Sequence, residues 1–152
     1  MSSKGTNKDS ILVVGVGNPL RSDDGAGSYV AESIEARGFN KVKVWVTQQL
    51  HVEDLESMLS FSKVILIDAS TSGPVVDLRQ VNGTDHSGLA SSHHLSAQTL
   101  VNMASNVYHK ELNMQLCSIR GSNFEAGDKI SPEVLYCAQK AIELICSSIM
   151  ES

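Results

Sequence analysis

At 152 residues the chain has room for one hydrophobic core and not two. Hydrophobic residues make up 41% and charged residues 19%, which excludes a disordered chain. A net charge of −5 with scattered basic residues excludes a nucleic-acid-binding stripe, and no apolar run approaches the ~20 residues of a membrane span.

Residues 1–10 are polar and lack the apolar core of a secretion signal, so a disordered leader is expected ahead of a single domain over residues 11–150. Residues 11–16 form a continuous apolar run of strand length, expected to be buried on both faces. Ser22 or Asp23 is placed to cap a helix whose apolar residues Tyr29, Val30 and Ile34 recur until Gly38. Residues 42–46 predict a second strand, and residues 52–59 a short helix with Glu53, Asp54 and Glu56 toward water. Residues 63–68 predict a third strand that ends on Asp68, and residues 75–81 a fourth. The link between those two, residues 69–74, is too short for a parallel crossover, which needs roughly a dozen residues or more. If they share a sheet, the fourth strand runs antiparallel to the third. A polar loop over residues 82–92, a helix over 95–108 and a strand over 112–119 follow. A long helix over residues 131–149 closes the chain, with Ser131 as its cap and Pro132 in its first turn.

This alternation predicts an α/β three-layer sandwich: a mostly parallel, twisted five-stranded sheet with one antiparallel strand and helices on both faces. Right-handed crossovers can place the second strand on one side of the first and the third on the other. The loops after strands one and three then meet at the switch point of the sheet, which brings Asp24 and Asp68 together.

The first of those loops, Gly15-Val16-Gly17-Asn18-Pro19-Leu20-Arg21-Ser22-Asp23-Asp24-Gly25, carries two adjacent carboxylates to the start of a helix. A dinucleotide fingerprint would need its third glycine where Leu20 stands, and Asp23 and Asp24 would repel a pyrophosphate. The loop suits a cation. Asp24, Asp68 and His93 form a mixed oxygen and nitrogen set that fits nickel, zinc or a similar divalent ion and leaves positions open. Plainer readings stand beside this one. Asp23 and Asp24 could cap the helix, and Asp68 could bond backbone amides at the strand end. His93 and His94 are adjacent, so a regular backbone points only one of them at a site; His93 is the preferred ligand and His94 the alternative. His51, His86 and His109 read as loop or surface histidines, and Asn18 is expected to bond across the glycine turn.

Cys117, Cys137 and Cys146 are an odd count without C-x-x-C spacing, which fits a reducing, cytoplasmic setting and argues against a disulfide framework. Neither G-x-S-x-G nor H-E-x-x-H occurs, so the corresponding serine hydrolase and zinc peptidase readings fall away. Asp24 and Asp68 could share a proton as an aspartic-type dyad, but a histidine beside them favours a metal.

The loop over residues 15–25 also resembles the signature of the hydrogenase maturation endopeptidases, proteases that trim a C-terminal extension from the large subunit of nickel-iron hydrogenases after nickel insertion. The resemblance continues through Gln49-Leu50, Val64-Ile65-Leu66-Ile67-Asp68-Ala69, Ser91-Ser92-His93-His94-Leu95-Ser96, Gly121-Ser122-Asn123-Phe124-Glu125-Ala126-Gly127 and Ile130-Ser131. It covers residues 11–149, and its last portion with Gln49-Leu50 resembles the branch that often serves soluble, cofactor-reducing hydrogenases. The resemblance implies a peptide-bond hydrolase in which Asp24, Asp68 and His93 are both the catalytic and the metal-contacting set. Where the family alternates between glutamate and aspartate, this chain has the shorter Asp24. The implied metal is nickel carried by the substrate, with no organic cofactor. The implied partner is the hydrogenase large-subunit precursor, met by a monomer without nucleic acid or membrane. A non-cleaving nickel-binding module and an unrelated hydrolase of small amides are the competing classes.

Overall fold

Residues 7–83 and 96–151 are described in the computed structural model. Strand β1 (Asn7–Val16) shows why an unbroken apolar run can be a strand. Ile11 and Val13 point into one hydrophobic cluster and Leu12 and Val14 into another, and all four are essentially inaccessible. A strand covered on both faces has no polar side to alternate with. Strand β3 (Phe61–Ser70) repeats the pattern, with Ile65 and Ile67 on the first side and Val64 and Leu66 on the second.

Strand β2 (Val42–Thr47), strand β4 (Val76–Gln80) and strand β5 (Met114–Arg120) complete one sheet in the order β2-β1-β3-β5-β4. Helix α1 (Ala26–Ala36) and helix α4 (Pro132–Glu151) cover one face, supplying Val30, Ile34, Val134, Ile142 and Ile145 to its core. Helix α2 (Asp54–Met58) and helix α3 (Ala97–Asn106) cover the other with Leu55, Met58, Leu100 and Ala104. The three-layer α/β sandwich expected from the alternation of elements is the observed fold, with parallel pairing throughout except between β4 and β5.

Three details differ from expectation. β1 runs back to Asn7, into the polar segment read as a leader, by pairing Asn7 with Phe61 across a bulge before Ile11; residues 1–6 lie outside the described residues. β4 does reverse direction relative to β3, yet the two are not neighbours, because β5 lies between them. The 69–74 link therefore spans two inter-strand gaps, about 10 Å. It is tied to the end of β5 by the N–H of Gly121 to the Ser70 carbonyl (2.9 Å) and that of Arg120 to the Val75 carbonyl (3.0 Å). Thirdly, the first helix opens with a 3-10 turn over Ser22–Gly25, and no side chain caps it or α1.

The chain leaves β1 for β2 on one side and reaches β3 on the other, so the C-terminal ends of β1 and β3 form the switch point. The start of α1 presses onto it. A Cβ on Gly27 would lie 2.6 Å from the Val16 carbonyl oxygen and 2.7 Å from that of Ile67, so only glycine allows this approach.

Candidate active site

Val16 and Asp68 are register partners at the last rung of the β1–β3 pairing. Just beyond Val16, Gly17 adopts φ 140°, and a Cβ there would overlap the Asp24 carbonyl oxygen. The missing side chain lets the 3-10 turn fold back over the strand end, setting the Asp24 carboxylate 3.2 Å from where that Cβ would be. The backbone N–H of Asn18 donates to Asp24 Oδ2 at 2.8 Å, fixing its direction. Asn18 Oδ1 accepts from the N–H of Leu20 at 2.9 Å, a local turn two residues further on instead of the expected bond across the glycine turn.

Asp24 and Asp68 line one cleft of about 660 Å³ together with Gly17, Arg21, Gln48, Gln49, Leu50, Ser70, Thr71, Ser72 and Phe124. The convergence argued from topology is thus present. Burial pushes the Asp68 pKa up to about 7; the charge of Asp24 adds to the rise, and a hydrogen bond from the Ala69 backbone opposes it. Asp68 therefore holds its proton more tightly than an ordinary carboxyl. His93, together with His94, His86 and most of the 82–92 loop, lies outside the described residues. Among the described residues no three His, Cys, Asp or Glu side chains converge to hold a metal.

Asp23 corrects the capping expectation. It is fully buried and turns away from its own helix toward the segment between β5 and α4. It accepts from the N–H (2.7 Å) and hydroxyl (2.9 Å) of Ser131, the N–H (2.8 Å) and hydroxyl (3.2 Å) of Ser122, and the N–H of Asn123 (2.8 Å). Burial alone would raise its pKa, but these donors outweigh it and hold the carboxyl below its ordinary value. Asp23 is an anchor, and Asp24 faces the cleft because its neighbour is anchored.

His51 is exposed beside Asp54, and His109 lies in an exposed turn after α3 at φ 54°. The Ser22 hydroxyl is spent on the Glu125 carbonyl (2.8 Å), and all three cysteines are buried. Burial, with a smaller push from Asp77, raises the Cys117 thiol to about 12, so it supplies no thiolate nucleophile. Arg21, Gln48, Phe124 and the hydroxyls of residues 70–72 join the site without having been expected there. The run Ser70-Thr71-Ser72 two residues beyond Asp68, and a basic residue inside the glycine loop, were the available signals.

Fold and site define an α/β protein whose paired carboxylates stand at the switch point of a mostly parallel sheet. The hydrogenase maturating endopeptidase HybD from E. coli has this architecture, at a TM-score of 0.78 and 21% identity over 93% of both chains. The [NiFe] hydrogenase maturation protease HycI from Thermococcus kodakarensis KOD1 matches with a TM-score of 0.74 and 19% identity, over 96% of this chain and 95% of that one. The hydrogenase 2 maturation peptidase from Thaumarchaeota archaeon SCGC_AB-539-E09 matches at 0.68 and 19%, over 92% and 97%. No protein-family model and no curated protein sequence matches the chain. At these identities the likeness establishes the shared fold.

Proposed function

We propose that this protein is an endopeptidase of hydrogenase maturation, removing the C-terminal extension of a nickel-iron hydrogenase large-subunit precursor once nickel is in place and so completing the subunit. The observation that carries the reading is the Asp24–Asp68 pair, which lines a cleft of about 660 Å³ in a fold shared with HybD and HycI. The substrate's own nickel is the recognition element. Asp24, Asp68 and His93 receive it, and the proton held on Asp68 leaves as the cation enters. Fixing the metal fixes the neighbouring peptide bond over the cleft. Polarising its carbonyl or activating the water promotes attack of that water on the carbonyl carbon. The C–N bond then breaks to give a new carboxylate and release the extension with its protonated amine. No organic cofactor enters the scheme, and the protein acts as a monomer in the cytoplasm. Buried free cysteines fit that compartment, and among the described residues no helix is long and apolar enough to cross a membrane.

The deciding experiment incubates the purified protein with nickel-loaded and nickel-free precursor and reads the product mass. Cleavage of the loaded form alone, near its C-terminus, is expected. Binding without cleavage would make it a nickel-recognising maturation module instead, and cleavage of short peptides without nickel would make it a general amide hydrolase.

A further inference from the structure

Arg21 is the sole cation among the described residues that line the cleft, and neither metal capture nor hydrolysis as proposed uses it. Its backbone is locked. The Arg21 N–H donates to the Asn18 carbonyl (3.0 Å), and on either side Gly127 donates to Leu20 (2.9 Å) and accepts from Ser22 (2.8 Å). The side chain is held once more, by Nε donating to the Phe124 carbonyl at 3.2 Å. A guanidinium has five N–H donors, so the four on its two terminal nitrogens remain for a ligand. Among the described residues Arg21 has no carboxylate partner, although the cleft contains two.

A pre-positioned guanidinium with a free fork matches a carboxylate through two parallel bonds, a geometry that lysine cannot reproduce. Arg21 immediately precedes the 3-10 turn that carries Asp24, the Asp24 N–H donates to the Arg21 carbonyl (3.1 Å), and both residues line the cleft. The cleft thus offers an acidic pole and a basic pole within one turn of chain. A ligand that satisfies both brings a cation to one and an anion to the other.

We propose that Arg21 is a substrate-binding residue that captures a carboxylate on the precursor's C-terminal extension, close to the cut, while the acidic pair receives the metal. This rests on the endopeptidase reading. The carboxylate is either an Asp or Glu side chain of the extension or its terminal carboxylate.

The test measures steady-state processing of nickel-loaded precursor by wild type, Arg21→Gln and Arg21→Lys. Losing a charge-assisted bidentate contact should raise KM roughly 10- to 100-fold in Arg21→Gln, with kcat changed by less than about threefold, and Arg21→Lys should fall between. Replacing the acidic side chains of the extension by amides, or amidating its C-terminus, identifies the source: the relevant change lowers wild type to the level of Arg21→Gln and has no further effect on that variant. An unchanged KM in Arg21→Gln, or additive losses with both extension changes, overturns the proposal. If wild type cleaves no precursor, the endopeptidase reading fails separately. Fluorescence anisotropy of a labelled extension peptide then decides Arg21: weaker binding to Arg21→Gln than to wild type supports the proposal, and no difference overturns it.

Discussion

The turn after β1 and the open end of β3 each withdraw a carboxylate from water, by opposite means. Asp23 is enclosed by donors from Ser122, Asn123 and Ser131, and its charged form is the stable one. Asp68 meets burial and the like charge of Asp24 with one opposing backbone bond, and its neutral form persists to about pH 7. A satisfied buried charge is stable in its ionised form, whereas an unsatisfied one is driven toward neutrality. Asp23 directly precedes Asp24 in the chain, so the anchored residue fixes the backbone from which Asp24 faces the cleft beside Asp68.

Removing the anchor is expected to have the largest effect. Asp23→Ala removes a buried carboxylate that accepts part-buried hydrogen bonds from three residues and should lower the free energy of urea unfolding by about 3–5 kcal/mol. A loss below ~1 kcal/mol would show that the 121–131 segment is held by other contacts. Changes on the reactive side should spare the fold and remove activity. Asp24→Asn and His93→Ala are each expected to lower precursor processing at least ~100-fold while leaving the thermal midpoint within a few degrees of wild type. Wild-type processing by either variant removes that residue from the site.

Asp68→Asn sharpens the contrast because activity and stability should move in opposite directions. Asp68 has a folded-state pKa raised from 3.8 to about 7, so between those values the unfolded chain ionises first. Its contribution is greatest below about pH 4 and is lost as pH rises to about 7. A neutral amide in its place has no such loss. The variant should be more stable than metal-free wild type by on the order of 2–4 kcal/mol at pH 8, equal to it at pH 4, and unable to process precursor. A pH-independent difference in denaturant midpoints would contradict the raised pKa. Asp23 has the reverse sign: its depressed pKa supplies stability above the unfolded value of 3.8, lost as pH falls through the lower folded value. Acid unfolding of Asp23→Asn should therefore depend less on pH below 4 than that of wild type. The smallest change is expected from Ser122→Ala, about 0.5–1 kcal/mol, because the exposed hydroxyl is lost but the stronger bond from the Ser122 N–H stays.

Local pattern alone was sufficient for the strands and helices of the sandwich. The apolar runs inside β1 and β3, the Ser131-Pro132 start of α4, and the shortness of the 69–74 link are all properties of neighbouring residues. Even the meeting of Asp24 and Asp68 was legible, since right-handed crossovers leave few ways to order three parallel strands, and the family resemblance pointed the same way. The insertion of β5 between β3 and β4 was decided by the folded sheet, because pairing joins segments far apart along the chain and depends on which edge is free. The same holds for the two adjacent aspartates. Nothing local separates Asp23 from Asp24; donors 99 to 108 residues further on claim the first and leave the second to the cleft. Arg21 likewise acquires its position from Phe124 and Gly127. Periodicity and caps act over a few residues and can be read in order, whereas a buried charge takes its meaning from whichever dipoles the tertiary fold brings to it.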